Sequence, residues 1–209
     1  MPETNGFVKL FSFVRDHFCF LLNPRARPIR ELLVFFVMFV ILSVLCWLLG
    51  VIVHESAHCI PAYFFGFSPQ MQFNLLSAAP GTCTLDNSKV SGHDVLNVWI
   101  IAVSPYLLWF LVLVLVYKIE ERTHACLFIP IFVIFADTWL NISNLFLTKQ
   151  GDFVTIGHNA NIIGNVLGFE SLGVIVICLV IVAFAFLTVL HGKKIYDYLR
   201  SKPLHLKTS

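Results

Sequence analysis

Charged side chains are absent from residues 32 to 53, an apolar run long enough to cross a membrane. Three further runs of this kind follow, at 95 to 117, at 125 to 148 with a single acid, Asp137, and at 171 to 190. The pattern predicts four transmembrane helices and an all-α membrane protein. The first run stays apolar to about Phe67, with Pro61 as its expected break. A continuous helix over 32 to 66 would measure about 52 Å at ~1.5 Å per residue, against a hydrocarbon core of ~30 Å, so it must tilt, kink or project. Ser104-Pro105 marks an expected kink in the second run. Between the first two runs, Met71 to Leu76 and Thr82 to Leu85 are strand-like around Ala79-Pro80-Gly81, which predicts a short β-hairpin, with an ordinary polar loop as the alternative. Ahead of the first run, residues 6 to 22 are aromatic with scattered charges and suit an interfacial helix, and PRARPIR at 24 to 30 reads as a basic connector. The chain thus divides into a cytoplasmic segment (1–31), a transmembrane core (32–191) and a basic tail (192–209).

Composition agrees with this reading. Of 209 residues, 58% are hydrophobic and 12% charged, about half the charged share of a soluble domain. Net charge is only +2, and no nucleic-acid-binding pattern is present; the bilayer is the expected surrounding. The distribution of charge is more telling than its sum. The segment before residue 32, the 118 to 124 connection and the tail hold twelve Lys and Arg, whereas the other two connections hold only Lys89 and Lys149. The asymmetry predicts both termini on the cytoplasmic side. Lys9, Arg15, Asp16 and His17 interrupt the N-terminal apolar residues, which argues against a cleavable signal peptide. The six Cys show no CxxC spacing and read as small core residues rather than a disulfide framework.

Against this background His54-Glu55-Ser56-Ala57-His58 stands out, because ionisable groups at membrane depth are costly and mark functional sites. Four apart on a helix, His54 and His58 stack on one face and can share a metal ion. Glu55 then lies where a general base for water activation belongs. Zinc catalysis takes a third protein ligand and leaves one position open. His124, His191 and His205 fall on the predicted cytoplasmic side, which leaves His93, Asp94, Asp137, Asp152 and His158. Asp152 is favoured, next to Gly151 where the third helix should end. Asp137, Asn141 and Asn144 form a polar stripe on that helix, which must face protein or water rather than lipid. For Asn141 the simpler role is hydrogen bonding between helices. Asp137 is expected to line a water path or pair with a neighbour.

HESAH on an early membrane helix, the hairpin after it, Val103-Ser104-Pro105, and Asn144 eight residues before Asp152 together resemble the site-2 protease family of intramembrane zinc metalloproteases. The likeness spans roughly residues 45 to 155 and is to a compact or divergent member. Leu147 stands where the family's second motif has Pro, and Phe153 where it has Gly. The resemblance implies zinc held by His54, His58 and Asp152, Glu55 as general base, Asn144 near the substrate backbone, and a membrane-protein substrate cut within or beside a transmembrane segment. Two other readings compete with it. A di-iron membrane oxidase would need several His clusters, and the chain has one His-x3-His pair. A catalytically degenerate relative, acting as a membrane scaffold or binding protein, would have no use for Glu55.

Overall fold

The computed structural model describes residues 29–74, 81–86, 88, 90–91, 94–120, 123–124 and 127–201. The expected interfacial helix at 6 to 22, and the tail beyond 201, lie outside the described residues. The described chain runs α1 (Ile29–Phe64), β1 (Gln70–Phe73), β2 (Gly81–Thr84), α2 (Val95–Tyr117), α3 (Phe128–Leu147), α4 (Asp152–Leu167) and α5 (Leu172–Ser201). Within α1, α2, α3 and α5 lie four stretches long and apolar enough to cross a membrane, beginning at Phe36, Val95, Phe128 and Leu172. This is an all-α membrane protein with one small hairpin.

Each span forms along an apolar run with few or no charges, and the differences from expectation are local. Pro61 does not break α1, which continues to Phe64. Its missing N–H costs one backbone bond, to the Ala57 carbonyl, and the helix stops within a turn of it. At 36 residues α1 is about 54 Å long at ~1.5 Å per residue, so it tilts in, or projects from, a membrane core. Helix α4 was not anticipated: its sequence, DFVTIGHNANIIGNVL, mixes polar residues and glycines among the apolar ones. Helix α5 runs to Ser201, so residues 192 to 201 continue the last helix rather than opening a separate tail. Lys194 explains part of this extension, because its ammonium donates to the carbonyls of Tyr117 and Ile119 at the end of α2.

The core lies among α2, α3, α4 and α5, where Tyr106, Trp109, Leu113, Ile134, Phe153, Ile156 and Phe184 pack together. Helix α1 sits at the edge of this bundle against α2 and α3. Its Leu33, Phe36, Val37, Leu49 and Phe64 point outward, as an apolar helix facing lipid does. The strands pair antiparallel, with Met71 opposite Cys83 and Phe73 opposite Gly81, close to the expected hairpin. Strand β2 packs on α1, near the HESAH residues.

Candidate metal centre

Two helices supply the candidate ligands. Helix α1 presents His54 and His58 on one face, both buried, with ring centroids 5.0 Å apart. Asp152 begins α4, delivered by the tight turn from α3. That turn depends on Gly151, whose φ of 93° is a conformation that side-chain-bearing residues rarely adopt. Among the described residues, His54, His58 and Asp152 form the one group of three potential metal ligands, with ligand atoms all within 4.8 Å of one another.

The hydrogen bonds behind the ligands decide which way they face. His54 Nδ1 meets Asp137 Oδ2 at 2.8 Å, and His58 Nδ1 meets the Ile101 carbonyl at 2.7 Å. Both partners can only accept, so each Nδ1 carries the proton, and in a neutral imidazole Nε2 is then a lone pair. Both Nε2 atoms approach Asp152 Oδ2, at 3.1 Å and 3.3 Å. Two lone pairs and a carboxylate oxygen repel one another at that range unless a cation lies among them. A tetrahedral ion with ~2.0–2.1 Å bonds needs ligand atoms about 3.3 Å apart, close to the two separations between imidazole and carboxylate. The residues fit a metal. Burial alone would favour the neutral form of Asp152, but with protons on the facing imidazoles of His54 and His58 in place of a metal ion, their hydrogen bonds and positive charge outweigh it and hold the carboxyl well below the usual carboxylate range.

The Ile101 carbonyl is available because of Pro105. A proline four residues on has no N–H to offer, so the helix leaves that carbonyl without its usual partner. The expected kink signal therefore has a local use, orienting His58. Ser104 turns its hydroxyl onto the Ile100 carbonyl at 2.6 Å. Tyr106, buried directly after Pro105, donates to Asp152 Oδ2 at 2.8 Å.

Glu55 lies under β2. A Cβ on Gly81 would stand 2.7 Å from Glu55 Cγ, so only glycine lets the strand come this close. The Cys83 backbone N–H is directed at the Glu55 carboxylate. A disulfide joins Cys59, immediately after His58, to Cys83 and fastens the hairpin to the helix that carries His54 and His58. This corrects the reading of all six Cys as core residues; Cys46 and Cys178 are free. Closing a loop of 24 residues stabilises by about 3 kcal/mol on the chain-entropy estimate.

A cavity of about 680 Å³ opens on the ligands and Glu55, with Asn141, Asn144, Gln150 and Thr155 in its polar wall. Asn144 is exposed to the cavity, while the Asn141 amide donates to the Asp137 carbonyl of its own helix at 3.1 Å. Asp137 pairs with a neighbour, as expected. The other sequence candidates fall elsewhere. His158 is exposed on α4, Asp94 binds Ser91 and Asn97 at the start of α2, and His93 lies outside the described residues. His124 and His191 bury against each other, 2.7 Å apart, where α5 meets the 118 to 127 connection. Sequence reasoning missed Tyr106, Trp109, Gly81 and the disulfide. One signal was available, a Cys directly after the HESAH His and another inside the hairpin beside it. No protein-family model, curated protein or solved structure matches the chain.

Proposed function

We propose that the protein is an intramembrane zinc metalloprotease of the site-2 protease type, hydrolysing peptide bonds in or near transmembrane segments of membrane proteins. One observation carries the reading: two helix-borne imidazoles and a carboxylate converge as a possible three-ligand metal set, with a second carboxyl-bearing residue, Glu55, beside them. Two nitrogens, one oxygen and room for one more group form the ligand set of catalytic zinc, not of a closed structural site. His54, His58 and Asp152 would hold the ion, which supplies a Lewis acid that polarises a carbonyl and activates water.

The remaining work falls to residues of the chain. Glu55 takes the proton of the attacking water and delivers it to the leaving amine nitrogen as the C–N bond breaks. Gly81 and the Cys83 backbone hold it in place. Water reaches the site along the polar wall of Asn141, Asn144 and Thr155, since lipid supplies none. Strand β2 lines the same cavity through Gly81, Thr82 and Cys83, where an unwound substrate segment can align by strand addition. The substrate should carry helix-weakening residues near the cut, because an intact helix keeps its carbonyls bonded. We infer further that the termini are cytoplasmic. The twelve-to-two distribution of Lys and Arg supports this, and so does the Cys59–Cys83 bond on the opposite side, because disulfides persist in oxidising compartments.

The test is cleavage of a panel of single-span substrates by purified protein in lipid, with products identified by mass spectrometry. Wild type should cut, and Glu55→Gln should keep zinc, retain uncut substrate and lose cleavage. Equal cutting of soluble peptides would contradict the intramembrane reading. A zinc-loaded protein that cut nothing in the panel would favour the scaffold reading.

A further inference from the structure

We propose that Asp137 and Trp109 form a positioning pair for His54, a carboxylate and an indole that set the tautomer and aim of one metal ligand without touching the metal themselves. The inference rests on the metal-binding reading above but does not require proteolysis.

The argument starts from cost. Asp137 lies in the middle of α3, in a stretch apolar enough to span a membrane, where an unpaired carboxylate is strongly disfavoured. Its Oδ2 accepts two hydrogen bonds from two other helices, from His54 Nδ1 at 2.8 Å and from Trp109 Nε1 at 2.9 Å. Trp109 is 5% exposed and fixed in the core of the bundle. Its ring offers a single donor, and that donor is used here. A line of contacts therefore runs from Trp109 on α2 through Asp137 on α3 to His54 on α1. Because the indole pins the carboxylate, the carboxylate in turn can pin the imidazole.

Three consequences follow. Asp137 meets His54 on the Nδ1 side of the ring, away from Asp152, so it stands behind the ligand set. It holds the proton on Nδ1 and leaves Nε2 free to bind, as outer carboxylates do for metal-bound histidines. It also adds its carboxyl group to those of Asp152 and Glu55 around the place a divalent ion would take. His58 has only a neutral carbonyl behind it, so the carboxylate's support falls on His54 alone.

The experiment is zinc affinity by chelator competition on detergent-purified wild type, Asp137→Asn, Asp137→Ala and Trp109→Phe. Visible spectra of the cobalt-loaded forms and melting of the zinc-stripped forms accompany it. Asp137→Asn, which keeps the shape, should bind zinc about 10- to 100-fold more weakly, with Asp137→Ala no better. Trp109→Phe should lose a smaller factor. The cobalt bands should shift, while zinc-stripped Asp137→Asn melts near wild type. Wild-type zinc affinity in Asp137→Asn overturns the proposal, and so does complete loss of binding like that of Asp152→Asn, which would make Asp137 a primary ligand. If Asp137→Asn does not fold, unchanged affinity and cobalt spectrum in Trp109→Phe overturn it instead. Absence of zinc binding by wild type removes both this inference and the metal reading. Zinc binding without cleavage removes only the protease reading.

Discussion

Replacing Pro105 by Ala should strengthen a helix and weaken a metal site at the same time. Proline inside a helix costs about 3 kcal/mol relative to alanine, so α2 should gain stability from the change, by less than that value where the surroundings already accommodate the ring. The new N–H would bond the Ile101 carbonyl, which now receives His58 Nδ1–H at 2.7 Å. A hydrogen bond of this kind is worth about 1 kcal/mol net, so sharing or losing it should weaken zinc binding by roughly fivefold. The assay pairs melting of the zinc-stripped protein with zinc affinity by chelator competition, for wild type and Pro105→Ala. Opposite signs are expected: a higher melting temperature and a weaker affinity. Unchanged or tighter zinc binding in a stabilised Pro105→Ala would refute the idea that a proline-freed carbonyl orients His58.

Three other outcomes are expected. The double variant Cys59→Ser/Cys83→Ser should lower stability by about 3 kcal/mol, read by melting, and reduction of wild type should match it; no change would mean that the bond does not constrain the hairpin. Burial first, and then His191 and Lys194, push the His124 imidazole down to about 4 from its ordinary 6.5. The unfolded chain therefore binds more protons between these values, so this contribution to stability is whole above about pH 6.5 and is lost as pH falls toward 4. His124→Asn should flatten that limb of the stability–pH curve, and an unaltered slope would contradict the assignment. With the free native Cys replaced, a Cys placed at residue 88 should react with an impermeant reagent from outside and one at 205 should not; the reverse would invert the orientation.

The spans and the members of the His54–His58–Asp152 cluster were legible in the sequence because each is written in local patterns. Apolar runs, charge-free but for Asp137 in the third, locate α1, α2, α3 and α5, and His54 and His58 are paired by helical spacing alone. Asp152 emerged from its place after Gly151 and its spacing from Asn144. Helix α4 escaped because Gly157, Gly164 and the polar residues between them dilute its apolar pattern, and its stability comes from packing on α2 and α5. Trp109 and Tyr106 look like ordinary span aromatics, and only the fold shows their polar ends turned onto Asp137 and Asp152. The Ile101 carbonyl is backbone and carries no sequence signal of its own. Pairing of Cys59 with Cys83 is a fact of space, although residence of both near one end of α1 hinted at it.

Zinc content of the purified protein tests the central claim most directly. Elemental analysis of detergent-purified wild type should find one zinc per chain, with none in His54→Ala/His58→Ala or in Asp152→Asn, and full content in Glu55→Gln. A wild type without zinc, or a double His variant that holds as much as wild type, would contradict the account.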